Sequence, residues 1–171
     1  MRTLIYISGP SCSGKTTLLN RIKDQFPIDE VVTGDEHWIN FPGLSFVERV
    51  PLVNTSILDA VKGTKGSLVA CEWVPIDGSF PCSIRFLCRN AGMSFLQIAL
   101  IASTSVLQSR KMARDGDIDT DEFHLCSSSM GDYCLVVDTG VNDVNTVFLM
   151  VKQWLSGKLL QQNSNQAIEA D

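Results

Sequence analysis

Residues 9–17 read GPSCSGKTT: a glycine, four variable positions, a second glycine, then a lysine and two threonines. The apolar run RTLIYIS (2–8) leads into this stretch, and a segment with Leu18, Leu19, Ile22 and Phe26 at helical spacing leaves it, stopped by Pro27. Such a junction, strand to glycine loop to helix, sets the pattern for everything that follows. Apolar runs alternate with helix-like periodic segments along the chain, the pattern of parallel strands joined by helical crossovers.

EVVT (30–33) reads as a second strand, GSLVACEW (66–73) as a third, MSFLQIALIA (93–102) as a fourth and DYCLVVDTG (132–140) as the segment that closes the sheet. The fourth is apolar almost throughout, which suits a central strand covered on both faces. GDEHWINFPG (34–43) and PIDGSFP (75–81) read as loops, and CSIRFLCRNA (82–91) as a helix. Residues 45–62 read as a helix broken or bent near Pro51, which lacks the amide hydrogen of a helix interior. SVLQSRKMAR (105–114) reads as a helix capped by Ser103 or Thr104. In the last helix Val144, Val147, Phe148, Val151, Trp154 and Leu155 form one stripe, which Gly157 is expected to end. The expected organisation is one domain over 1–158, a lid near 108–131, and a polar, disordered tail over 159–171.

At 171 residues the chain is one domain long and buries a core without staples. A net charge of −5 argues against a broad basic face that would collect nucleic acid phosphates. No run approaches the roughly 18 apolar residues that a bilayer requires. Cys12, Cys71, Cys82, Cys88, Cys126 and Cys134 include no C-x-x-C pair, and His37 and His124 are the only histidines, which argues against structural zinc. The start MRTLIYISG is too short and too quickly polar for a secretion signal, so the cysteines read as free thiols in a reducing cytoplasm.

The loop carries its own chemistry. Gly9 and Gly14 let the backbone curl until consecutive amide hydrogens point inward, and the following helix adds its positive end, so a triphosphate fits the nest. Gly9, Pro10, Ser11, Cys12, Ser13, Gly14, Lys15, Thr16 and Thr17 form this expected cradle, Lys15 reaching the β- and γ-phosphates and Thr16 holding Mg²⁺. A second metal-holding carboxylate is expected at a neighbouring strand end. Glu72 is favoured and Asp138 is the alternative, a turn or cap residue being its competing role.

Phosphate transfer also needs a base that orients the acceptor. Asp35, one glycine beyond a strand end, is the candidate, with Glu36 as alternate and a capping carboxylate as the structural alternative. Trp38 suits stacking on a planar acceptor and His37 hydrogen bonding to one; each equally suits packing under the loop. Arg110 and Arg114 share a helix face, either as a clamp on the migrating phosphoryl group or as a solvated face paired with Asp115 and Asp117. Arg85 and Arg89 repeat the spacing, either to grip an acceptor or as solvated residues.

With these residues in view, the chain resembles the small P-loop kinases of the adenylate kinase-like group, among them nucleoside and nucleotide, polynucleotide 5′-hydroxyl, gluconate, shikimate and chloramphenicol kinases. The resemblance covers roughly residues 2–157 and is carried by GPSCSGKTT, GDEHW after the second strand, LQSRKMARDGD after the fourth, and YCLVVDTGVNDVNTVFLMVKQWL at the end. It implies an α/β three-layer sandwich: a five-stranded parallel sheet in the order 2-3-1-4-5 with helices on both faces. It also implies ATP as phosphoryl donor with Mg²⁺, Lys15 and Thr16 on the donor phosphates and metal, Asp35 on the acceptor proton, and Arg110 and Arg114 in the lid. The guanylate-binding segment, the thymidylate kinase D-R-[YFH] signature and the GTPase N-K-x-D motif are absent from the sequence.

Three functions fit. The favoured one is a kinase acting on a small molecule, a nucleoside or nucleotide above all. The second places the acceptor hydroxyl on nucleic acid, at a 5′ end or a hydroxymethylated base. The third is a nucleotide-binding regulator with no acceptor. Oligomeric state leaves no signal in the sequence.

Overall fold

The computed structural model describes residues 2–74, 79–116 and 134–169. Five strands, β1 (Arg2–Ser8), β2 (Glu30–Thr33), β3 (Leu68–Trp73), β4 (Met93–Ile101) and β5 (Cys134–Asp138), lie in the order β2-β3-β1-β4-β5. Every neighbouring pair is parallel. The expected order is therefore the observed one. The fourth strand, read as central, lies inside the sheet between β1 and β5.

Position explains composition here. Side chains alternate along a strand, so β1 sends Ile5 and Ile7 into one apolar cluster and Leu4 and Tyr6 into another, all of them fully buried. Helices α1 (Lys15–Gln25) and α6 (Val144–Glu169) cover the first face through Leu18, Leu19, Ile22 and Val147, Val151, Leu155. Helices α3 (Phe46–Gly63) and α4 (Phe80–Asn90) cover the other through Val53, Ile57, Val61 and Phe80, Ile84, Cys88. The short α2 (Gly34–Trp38) follows β2, and α5 (Thr104–Asp115) follows β4, capped by Ser103, whose hydroxyl accepts from the Val106 amide at 3.4 Å. Among the described residues no helix is long and apolar enough to cross a membrane.

Three local expectations are corrected. Residues 34–38, expected as loop, form α2, because Gly34 lets the backbone lie directly on Trp73: an added Cβ would stand 1.7 Å from that ring. A five-residue helix is also too short to display a period. Helix α3 runs through Pro51 without a break. Losing one internal hydrogen bond costs about 3 kcal/mol, whereas the buried stripe Val50, Val53, Ile57 and Val61 returns roughly 1.5–3 kcal/mol per residue. A capping box between Ser45 and Glu48 secures the start of that helix.

Nor does Gly157 end α6. The helix continues to Glu169, where a disordered tail was expected from residue 159. A glycine inside a helix costs about 1 kcal/mol, and Leu159 packs on the core while Thr3 Oγ1 bonds Gln162 Oε1 at 3.0 Å. Most of the expected lid, residues 117–131, lies outside the described residues.

Candidate functional site

The loop from Gly9 to Gly14 leaves the carboxyl end of β1 at the centre of the sheet. Its footing is polar and buried: Gln97 Nε2 donates to Ser8 Oγ at 3.0 Å, and Ser8 Oγ donates to the Ile98 carbonyl at 3.4 Å. Gly9 passes so close to β4 that a Cβ would meet the Leu100 carbonyl at 2.6 Å. Cys12 and Gly14 both adopt positive φ, 63° and 93°, which turns successive amides toward one concave side. Gly14 then caps α1, its carbonyl accepting from Leu18 N at 2.9 Å.

Lys15 folds back over this curl and donates from Nζ to the Pro10 carbonyl at 3.0 Å. Burial holds the Lys15 ammonium below its ordinary pKa, with Glu72 and then Asp35 pulling it back toward the charged form. Thr16 Oγ1 donates to Glu72 Oε1 at 3.1 Å. Glu72 is buried at the end of β3, and burial raises its carboxyl pKa against the pull of the Thr16 hydroxyl and of Lys15. Its second oxygen, Oε2, and the hydroxyl of Ser13 are buried without a protein partner among the described residues.

Lys15, Thr16 and Glu72 open into one cavity of about 640 Å³ that Asp35 also lines. Asp35 stands in the first turn of α2, and the Gly34–Trp73 contact sets that helix against the sheet. The apolar part of the wall is aromatic: Trp38 lies 6.0 Å from Trp73 and 5.8 Å from Phe46, centroid to centroid. Trp73 Nε1 donates to Asn54 Oδ1 at 2.8 Å, which holds the indole in place.

Of the arginines, Arg110 bridges elements. It donates to the Cys12 carbonyl at 3.4 Å, to Thr139 Oγ1 at 3.1 Å and to the Thr139 carbonyl, and it lines both the main cavity and an adjoining one of about 420 Å³. Arg114 lines the main cavity but makes a two-pronged pair with Asp115, both bonds 2.7 Å, the solvated alternative of the two readings. Arg85 and Arg89 are exposed on α4 and line neither cavity. His37 is turned to Ser56 on α3, 2.7 Å away. Asp138 takes the turn role, accepting from the Gly140 amide at 2.7 Å.

Phe46, Trp73 and Val74 of the main cavity, and Thr139 and Asn142 of the second, escaped the sequence reading. Trp73 stands next to Glu72 and was the one within reach of strand-end reasoning. Among the described residues Cys12, Cys71, Cys82, Cys88 and Cys134 are free; burial pushes the thiols of Cys71 and Cys88 up, so both are inert core residues.

No family model matches the sequence, and no curated protein matches it. Solved structures do match. A gluconokinase from Sinorhizobium meliloti 1021 superposes with a TM-score of 0.67 at 18% identity, over 95% of this chain and 99% of its own. The Mycobacterium tuberculosis APS kinase CysC, in complex with AMPPNP and APS, gives 0.67 at 16% identity over 91% and 98%. A sugar kinase from Janibacter sp. HTCC2649 gives 0.63 at 15% identity over 91% and 95%. Sheet order, glycine loop and these superpositions agree: the chain has the P-loop α/β fold seen in these solved kinases.

Proposed function

We propose that this protein is an ATP-dependent phosphotransferase that moves the γ-phosphate to a hydroxyl or phosphate on a small molecule, a nucleoside or nucleotide being the favoured class. One observation carries the reading: Lys15, the Thr16–Glu72 pair and Asp35 line a single cavity at the loop. In this reading the loop amides and Lys15 receive the donor phosphates, Lys15 giving up the Pro10 carbonyl to do so. The adjoining 420 Å³ cavity is the room left for the nucleoside end of the donor.

The residues fit Mg²⁺. The buried Glu72 Oε2 has no protein partner among the described residues, a costly arrangement for a carboxylate unless a cation or water meets it. Magnesium needs only one or two protein ligands beside substrate phosphates, and Thr16 and Glu72 are those that would hold it. Bound there, the ion would neutralise charge on the donor phosphates.

Asp35 orients the acceptor hydroxyl and takes its proton as the acceptor oxygen bonds to the γ-phosphorus and the bond to the ADP oxygen breaks. Arg110, and Arg114 after leaving Asp115, supply further positive charge for the moving group. Arg85 and Arg89 line neither of these two cavities and so lend a nucleic acid acceptor no support.

The test is incubation with γ-labelled ATP and Mg²⁺ against nucleosides, nucleotides, sugars, and DNA or RNA with free hydroxyls. Label on a small molecule is the expected result. Label on nucleic acid lanes alone overturns the ranking, and ATP binding without any transfer supports a regulator instead.

A further inference from the structure

The charges around the cavity say what the acceptor is not. All 14 lysines and arginines of the chain fall within the described residues; the segments outside them, 75–78 and 117–133, contain none. Of the 14, only Lys15, Arg110 and Arg114 line the main cavity. In the proposed function these three serve the donor phosphates. Lys15 and Arg110 are already tied to the loop, through the Pro10 and Cys12 carbonyls.

One further cation, Arg49, lies against a ring of the aromatic wall, with its Nε buried and without a hydrogen-bond partner among the described residues. Arg49 holds its guanidinium 4.6 Å from the Trp38 ring centroid and donates to the Leu44 carbonyl at 3.2 Å, and it does not line the cavity. An acceptor bearing a phosphate, sulfate or carboxylate would therefore find no cation of its own, and Asp35 and Glu72 would repel it. What remains is the wall of Trp38, Phe46, Trp73 and Val74, suited to a flat apolar surface. A cationic acceptor fares no better: among the described residues Asp35 and Glu72 are the carboxylates of the cavity, and the proposed function already commits the first to the acceptor hydroxyl and the second to the metal.

We infer that the acceptor is a neutral alcohol carrying an aromatic ring, the ring on the Trp38–Phe46–Trp73 wall and the hydroxyl at Asp35. Within the class named above this selects the nucleoside over the nucleotide. The inference rests on the proposed phosphotransfer, and the test separates the two.

Binding of AMPPNP with Mg²⁺ is measured first by calorimetry; its absence sinks the phosphotransferase reading itself. To the AMPPNP-loaded protein are then added matched probes: thymidine and thymidine 5′-monophosphate, 3-phenylpropane-1,2-diol and 3-phenyllactate, with gluconate and choline. Each neutral aromatic alcohol is expected to bind at least about tenfold more tightly than its anionic partner and than gluconate or choline. Phe46→Ala, at an exposed helix start, and Trp38→Ala should each weaken the neutral probes by about tenfold and leave AMPPNP unchanged. Equal or tighter binding of an anionic probe or of choline, silence of all probes on the AMPPNP-loaded protein, or indifference to Phe46→Ala overturns the inference.

Discussion

The hydroxyl of Thr16, in the first turn of α1, donates to Oε1 of Glu72 at the end of β3, 3.1 Å away. Two elements far apart in sequence meet there, and the meeting has a pH signature. Burial raises the Glu72 carboxyl above its ordinary value of 4.5, so the folded protein keeps a proton that the unfolded chain releases. That contribution to stability is complete below pH 4.5 and is lost as pH rises through the raised folded value. Glu72→Gln is neutral throughout, so its urea midpoint should fall less than that of the wild type between pH 4.5 and 7, without nucleotide or metal. A wild-type midpoint that rises more steeply than the variant's over the same window refutes the assignment.

Asp35→Asn keeps the shape of the side chain and removes its basicity. Transfer should drop by roughly 10²–10⁴-fold, while AMPPNP affinity, measured by calorimetry, stays within about twofold. Unchanged transfer would mean that Asp35 is not the base.

Gly34→Ala places a methyl 1.7 Å from the Trp73 ring, inside a wall that cannot retreat because Asn54 holds the indole. Overpacking of this kind costs about 1–3 kcal/mol. For a chain of this size the melting temperature should fall by roughly 2–10 °C. Transfer should fall as well, because Asp35 follows Gly34 directly.

Arg110→Ala cuts the bonds to Thr139 and to the Cys12 carbonyl. The expected loss is about 1–3 kcal/mol in urea unfolding, accompanied by weaker AMPPNP binding. The same substitution at Arg89, exposed and outside both cavities, should change AMPPNP binding by less than about twofold.

How much of this is legible in the sequence depends on whether the determining force is local. The glycine loop was readable because Gly9, Gly14, Lys15 and Thr16 answer to a backbone conformation that a few consecutive residues specify. The choice of Glu72 over Asp138 followed from strand adjacency, which is what brings Glu72 to Thr16 and leaves Asp138 in a turn. Helix α2 was unreadable because its cause is Trp73, which comes from another strand. Pro51 and Gly157 misled for the same reason: both are local helix breakers outweighed by distant packing. Arg114 satisfied the spacing of a clamp and does line the cavity, but spacing along a helix cannot say that the same side chain also pairs with Asp115.

Successive side chains on a strand point to opposite faces, and β3 ends on Glu72 followed by Trp73. The first reaches Thr16 beside the glycine loop; the second is the platform on which Gly34 seats Asp35. One peptide unit thus spaces the proposed metal-side carboxylate from the platform beneath the candidate base. A single-residue insertion or deletion before Glu72 would exchange the two faces, so any chain that keeps this chemistry must keep the length of β3 while its loops are free to vary.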